Sequence, residues 1–157
     1  MQIFNFSFLF LFLPVTLAGA WLTRRSLRAQ NALLLALSLL FYACAGVRGL
    51  VIVLAETFLV WLLARLRGRG WKTLGIVLCT AALCYFKYTG FLTDNWNRMT
   101  GLSAAIPTIA APLGVSFFTF LAISYLADVV RGEIAAEENF GRLLLYLTFF
   151  PKAAQGP

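Results

Sequence analysis

The sequence predicts an all-α integral membrane protein, on three observations: an apolar composition, apolar runs of membrane-span length, and basic residues concentrated in the gaps between those runs. Of 157 residues, 61% are hydrophobic and only 12% charged, and the mean hydropathy is +0.85. Soluble domains are about half apolar and a quarter charged, so a large water-facing domain is excluded. A helix needs roughly 20 residues to cross about 30 Å of hydrocarbon. The chain therefore has room for about five transmembrane helices plus a short half-span or re-entrant helix, as part of a larger multi-helix bundle.

The first run, "FNFSFLFLFLPVTLAGAWL" (Phe4 to Leu22), contains no charge. Its "AGA" resembles a signal-peptide cleavage site, but no Lys or Arg precedes the run while Arg24, Arg25 and Arg28 follow it. That is the reverse of a secretory signal and predicts an uncleaved span with its N-terminus outside. Pro14 removes one backbone hydrogen bond and predicts a kink. The second run is "NALLLALSLLFYACAG" and, after "VRG", the third is "LVIVLAETFLVWLLARL". The basic loop "RLRGRGWK" precedes the fourth, "TLGIVLCTAALCYFKYTGFL".

The gaps after the first and third runs hold Arg24, Arg25 and Arg28, then Arg65, Arg67, Arg69 and Lys72; the gap after the second holds only Arg48. Basic residues mark the cytoplasmic side. This predicts a multi-pass protein of the inner membrane, with the stretch "TDNWNRMTGLSAAIPTIAAP" outside. A fifth span covers about Leu113 to Val130, "RGEIAAEEN" returns to the cytoplasm, and "FGRLLLYLTFFP" is too short to cross. The net charge of +7 is thus a topology signal, and no nucleic-acid partner is expected. Cys44, Cys79 and Cys84 lie inside apolar runs without CxxC spacing and read as buried small hydrophobes.

The chain has no histidine, which removes the usual neutral-pH general base, Ser-His or Cys-His activation, and the commonest transition-metal ligand. The six carboxylates, Glu56, Asp94, Asp128, Glu133, Glu137 and Glu138, are scattered, so no metal site is expected. What remains is intramembrane polarity. Glu56 falls mid-run, where a charge costs about 2.5–3.5 kcal/mol on insertion scales; it reads as an interhelical hydrogen-bond partner or as a proton or ligand site. Lys87, flanked by aromatics, reads as an interfacial anchor. On a helix Ser124 and Asp128 share a face, and Ser116 and Thr119 share an adjoining one. Arg131 stands three residues beyond Asp128, placed to pair with it. These groups form either a helix-packing stripe or a polar channel lining.

The stretch "PLGVSFFTFLAISYLADVVRG", Pro112 to Gly132, resembles the pattern PLGISFFTF followed by SYLVDVYRG of bacterial membrane-bound O-acyltransferases. These include the alginate and peptidoglycan O-acetyltransferases and the protein that carries D-alanine to teichoic acids. "NFSFLFLFLPV", "LLLALSLLFYACAG", "YFKYTGFLTDNWN" and the final "FFPKAAQGP" are similar to elements of that family in the same order, the last to FFPxxxxGP. The resemblance implies an enzyme passing an acyl group, acetyl in many members, from a cytoplasmic donor such as acetyl-CoA or an acylated carrier protein to a hydroxyl of an extracytoplasmic polysaccharide. A separate extracytoplasmic transferase is an implied partner, and no bound cofactor is implied.

Matched residue by residue, Ser116, Ser124, Asp128 and Arg131 fall on the first motif, and Pro151, Lys152, Gln155, Gly156 and Pro157 on the last, as tunnel-lining or loop-shaping candidates. The family's catalytic histidine lies downstream of the GP element, so none of its catalytic residues is in this chain. Residues 1–157 are therefore expected to be the N-terminal portion of a longer acyltransferase domain, inactive alone, whether as a fragment, a truncated gene or a degenerate relative. The competing expectation is a small non-enzymatic transporter or translocation subunit using Glu56 and Asp128 as proton or ion sites.

Overall fold

A computed structural model describes residues 13–100 and 114–149. Among these the chain is helical and contains no strand. Its elements are α1 (Leu13–Leu22), α2 (Leu27–Ala45), α3 (Val47–Arg65), α4 (Arg69–Thr100), α5 (Val115–Arg131) and α6 (Phe140–Thr148). Apolar helices of this length make it a multi-pass membrane protein, because only segments that satisfy their own backbone hydrogen bonds are stable in hydrocarbon.

Local chemistry sets the boundaries. Thr23 Oγ1 donates to the Gly19 carbonyl at 2.8 Å, closing the last turn of α1. The Ser26 hydroxyl accepts from the Ala29 N–H to start α2. A single residue, Gly46, separates α2 from α3; its φ of +149° is one that glycine adopts freely, and its N–H donates to the Tyr42 carbonyl at 3.0 Å. Glycines in the left-handed conformation bound α5, Gly114 at φ 71° and Gly132 at φ 80°. At the latter end the Gly132 and Glu133 N–H groups turn back to the carbonyls of Val129 and Asp128, as in a glycine-terminated helix. Asn139 Oδ1 accepts from the Gly141 and Arg142 N–H groups at 2.9 and 3.3 Å and begins α6.

Three helices among the described residues are long and apolar enough to cross a membrane: Leu27–Cys44, Val47–Arg65 and Arg69–Phe91. The sequence predicts about five, and the lower number has specific causes. Residues 4–12 of the first apolar run lie outside the described residues, so the kink expected at Pro14 falls at their edge, leaving ten residues of α1. The glycine stops shorten α5 to 17 residues, and α6 has nine. The stretch "TDNWNRMT", expected to be an outer loop, instead extends α4 to 32 residues, or about 48 Å at 1.5 Å per residue. No proline or glycine interrupts it between Gly90 and Gly101. Thr93 and Thr100 return their hydroxyls to the carbonyls of Thr89 and Trp96, four residues back.

Helix α5 is the centre of the bundle. Its buried positions, Val115, Phe118, Thr119, Ala122, Tyr125, Leu126 and Val129, recur at three- and four-residue spacing and form one face. Ala122, Leu126 and Val129 pack with Val60 and Ala64 of α3, Cys79 of α4, and Leu143 and Leu147 of α6. Nearer its start, Val115 and Phe118 pack with Tyr42 of α2 and Val53 of α3. Gly75 permits the close approach of α4: a Cβ there would stand 2.9 Å from Leu126 Cδ1 and 3.3 Å from Leu63 Cδ1. Of the cysteines expected to be buried, only Cys79 is; Cys44 and Cys84 are exposed, because they fall on the outward faces of α2 and α4.

These contacts make two stability predictions, both read by thermal unfolding in detergent. Gly75→Leu, which drives a side chain into Leu126 and Leu63, lowers stability by about 1–3 kcal/mol. Gly90, equally mid-helix, has nothing within 4 Å of the place a methyl would take, so Gly90→Ala raises stability by up to about 1 kcal/mol through helix propensity alone. Equal effects at the two glycines would refute the close packing of α4 on α5.

Candidate functional site

Two polar centres flank the buried face of α5. The first lies within the bundle. Glu56, one turn beyond Val53 on α3, accepts a hydrogen bond at Oε2 from Thr119 Oγ1 of α5, 3.2 Å away. Thr119 is fully buried. The Cys79 thiol of α4 sits beside the same carboxyl, so three helices bring one polar group each to a common point. Oε1 of Glu56 is buried and has no hydrogen-bond partner among the described residues. Beside it a cavity of about 340 Å³ opens between α3 and α4, lined by Ile52, Leu59 and Phe86 among apolar groups, with Glu56 and Cys79 as its polar edge. Among the described residues its lining holds no cation.

The second centre is at the basic end. The segment 132–139 joining α5 to α6 is held by side chains of two helices. Tyr125 Oη of α5 accepts from the Glu137 N–H at 2.8 Å, and Trp61 Nε1 of α3 donates to the Glu138 carbonyl at 3.3 Å. Trp61 also meets Phe140 edge-on, ring centroids 5.9 Å apart, and carries the Arg65 guanidinium over its ring at 4.8 Å. Glu137 Oε1 accepts from the Asn139 N–H at 3.1 Å and lies 3.8 Å from the Arg142 guanidinium, a loose surface pair. A cavity of about 490 Å³ lies between this segment, α5 and α6, with Tyr125, Asp128, Glu137, Arg142 and Tyr146 on its walls.

The sequence candidates are distributed unevenly over these centres. Glu56 belongs to the first. Asp128 lines the second, and no ion pair joins it to Arg131 among the described residues: Asp128 turns toward the α5–α6 cavity while Arg131 is exposed. Ser116 is half-buried and Ser124 exposed, so the two hydroxyls do not meet at one point. Lys87 is exposed, with its ammonium 5.7 Å from the Tyr88 ring centre. Pro151, Lys152, Gln155, Gly156 and Pro157 lie outside the described residues. The residues that do organise the two centres and were not singled out as sites are Cys79, Tyr125, Trp61, Glu137 and Asn139. Of these, Asn139 alone carries a readable signal, as an N-cap residue directly before an apolar run. Among the described residues no group of three His, Cys, Asp or Glu side chains stands close enough to hold a metal ion.

No family model matches the chain, and no solved structure matches it. Curated proteins do. A probable alginate O-acetylase of Pseudomonas aeruginosa is 37% identical over 163 residues, covering 96% of this chain and 31% of the relative. That of Azotobacter vinelandii is 36% identical over 163 residues, covering 96% and 32%. The peptidoglycan O-acetyltransferase of Helicobacter pylori is 30% identical over 187 residues, covering 96% and 35%. The chain therefore spans about a third of the length of the curated relatives it matches. Similarity to enzymes named for two different polysaccharides runs through 96% of the chain and supports a membrane O-acetyltransferase family.

Proposed function

We propose that this chain forms part of a membrane O-acyltransferase that moves an acyl group, acetyl by analogy, from a cytoplasmic donor to a hydroxyl of an extracytoplasmic polysaccharide. The observation that carries the reading is 37% identity over 96% of the chain to an O-acetylase. In this reading residues 1–157 are the N-terminal portion of the domain, and the protein lies in the inner membrane with its N-terminus outside and the basic loops in the cytoplasm. The donor, acetyl-CoA or an acylated carrier protein, approaches from the end where Arg28, Arg65, Arg67 and Arg69 gather. The polysaccharide, or a transferase that delivers to it, meets the opposite end. Because the chain lacks histidine, the base that the family resemblance implies is contributed by sequence beyond these residues. Asp128, Arg131, Ser116 and Ser124 shape the path beside α5, and Pro151, Lys152, Gln155, Gly156 and Pro157 shape the segment that follows α6.

A second reading, a proton- or ion-coupled transporter, draws on Glu56: a buried carboxyl oxygen without a partner among the described residues, at the edge of a cavity, is the kind of group such proteins use. The two readings separate experimentally. Deleting the gene removes O-acetyl groups from the cell-surface polysaccharide if the chain serves acyl transfer; unchanged acetyl content overturns that reading.

Within the complete protein, Glu56→Gln keeps an acceptor for Thr119 and removes the charge. Acyl transfer expects O-acetylation to persist, whereas a proton site expects function to collapse. Thr119→Val removes the hydroxyl that bonds the buried carboxyl and costs about 1–3 kcal/mol of stability, measured as a lowered unfolding midpoint. A midpoint equal to that of the parent would remove the Glu56–Thr119 bond from the account.

A further inference from the structure

A third concavity, which shares Asn139 and Arg142 with the second centre, lies where the first turns of α2 meet the start of α6. It encloses about 480 Å³. Arg28 and Asn31 of α2 line it on one side, and Asn139 and Arg142 on the other, while Leu27 and Leu35 supply an apolar wall. Gly141 faces α2: a Cβ there would stand 3.8 Å from Leu35 Cδ2, an ordinary contact distance.

We propose that this groove holds the phosphate of an anionic phospholipid headgroup, with the first carbons of the lipid against Leu27 and Leu35. Arg28 and Arg142, carried by different helices, line one space, and guanidinium is the side chain best matched to phosphate oxygens. Asn139 has its Oδ1 committed to the Gly141 and Arg142 N–H groups, which leaves its amide hydrogens as donors. Among the described residues no carboxylate lines the groove. The acid paired with Arg142 is Glu137, and at 3.8 Å with both side chains partly in solvent that pair competes weakly.

The apolar wall decides between a lipid and a free anion. Leu27 begins the segment of α2 that is apolar enough to span a membrane, and it is 75% exposed. The groove thus has cations at its mouth and leucines at the edge of the hydrocarbon, an arrangement an amphiphile fills and inorganic phosphate does not. Basic pockets between membrane helices recognise anionic headgroups in this way. Arg24 and Arg25, in the turn before α2, add to the positive field at the same end. The inference rests on membrane insertion alone and stands whether or not the chain serves acyl transfer.

The test uses the purified complete protein in a zwitterionic detergent, titrated with short-chain phosphatidylglycerol, with phosphatidylcholine of the same chain length, or with inorganic phosphate. Thermal unfolding is read by circular dichroism and retained lipid by native mass spectrometry. Phosphatidylglycerol is expected to raise the unfolding midpoint and to be retained, and phosphatidylcholine to do neither. Arg28→Gln combined with Arg142→Gln is expected to weaken phosphatidylglycerol by about tenfold or more, since a charge-assisted contact is worth roughly a factor of ten. Arg48→Gln, in the first turn of α3 at the other end of α2, is expected to change nothing.

Both substituted arginines are exposed, and the mass measurement reports binding even if the variant's own midpoint moves. Retention of phosphatidylglycerol undiminished in the double variant overturns the proposal, as does equal retention of phosphatidylcholine. An arginine-dependent rise given by inorganic phosphate as large as that given by the lipid overturns the lipid assignment in favour of a free-anion site.

Discussion

The structure depends on the close seating of α4 against α5. Hydrocarbon gives no hydrophobic drive to bring two apolar helices together, because lipid tails are as apolar as leucine; helices in a membrane associate through tight van der Waals contact and a few hydrogen bonds. Gly75 supplies the first, with Leu126 and Leu63 filling the space a side chain would occupy. The second is supplied one helix over, where Thr119 donates to Glu56. Between them, Ala122 and Leu126 are completely buried, and α5 touches α3, α4 and α6 at once. Each polar centre is a consequence of this seating. The first cavity lies between α3 and α4 with Glu56 and Cys79 at its edge, and the second lies where α5 ends and α6 begins.

That ending is equally determined. A left-handed glycine at Gly132 stops α5, and Tyr125 and Trp61 then fix the following segment to two different helices through its backbone at Glu137 and Glu138. A short helix of nine residues has little stability of its own. Here α6 is begun by the Asn139 cap and anchored through Leu143, Leu144 and Leu147. Its direction brings Arg142 toward α2, so the surface groove shared with the first turns of α2 lies beside the connecting segment that Tyr125 and Trp61 hold.

Much of this is legible in the chain, in proportion to how far local chemistry decides. The apolar runs that form α2 and α3, and the break between them, follow from composition and from one glycine. The extent of α4 is not legible from polarity, and "TDNWNRMT" shows why. Polarity ends the membrane, whereas only backbone chemistry ends a helix, and none intervenes before Gly101. For α5, spacing shows which side chains share a face but not which face is inward. Thr119 rather than Ser124 is the buried hydroxyl because Phe118, Ala122 and Leu126 turn that side to the core. Asp128 does stand near the helix end, yet it does not join Arg131, since its direction depends on α6, a partner that no local pattern reveals.

The uncovered surface of α4 carries information of a different kind. Trp71, Leu74, Leu78, Tyr85 and Tyr88 are all exposed and follow one another at helical spacing. Interfaces between membrane helices favour small residues, and this stripe is bulky except at Ala81. Its aromatic residues also stand at its two ends, Trp71 beside Lys72 and the basic turn, Tyr85 and Tyr88 beside Lys87, whose ammonium lies over the Tyr88 ring. From Trp71 to Tyr88 the helix rises about 25 Å, close to the roughly 30 Å of a hydrocarbon layer. Aromatic groups at both interfaces with aliphatic ones between are what a lipid-facing surface requires. Trp71 at one end and Tyr85 and Tyr88 at the other thus give this side of α4 the pattern of a lipid-facing surface.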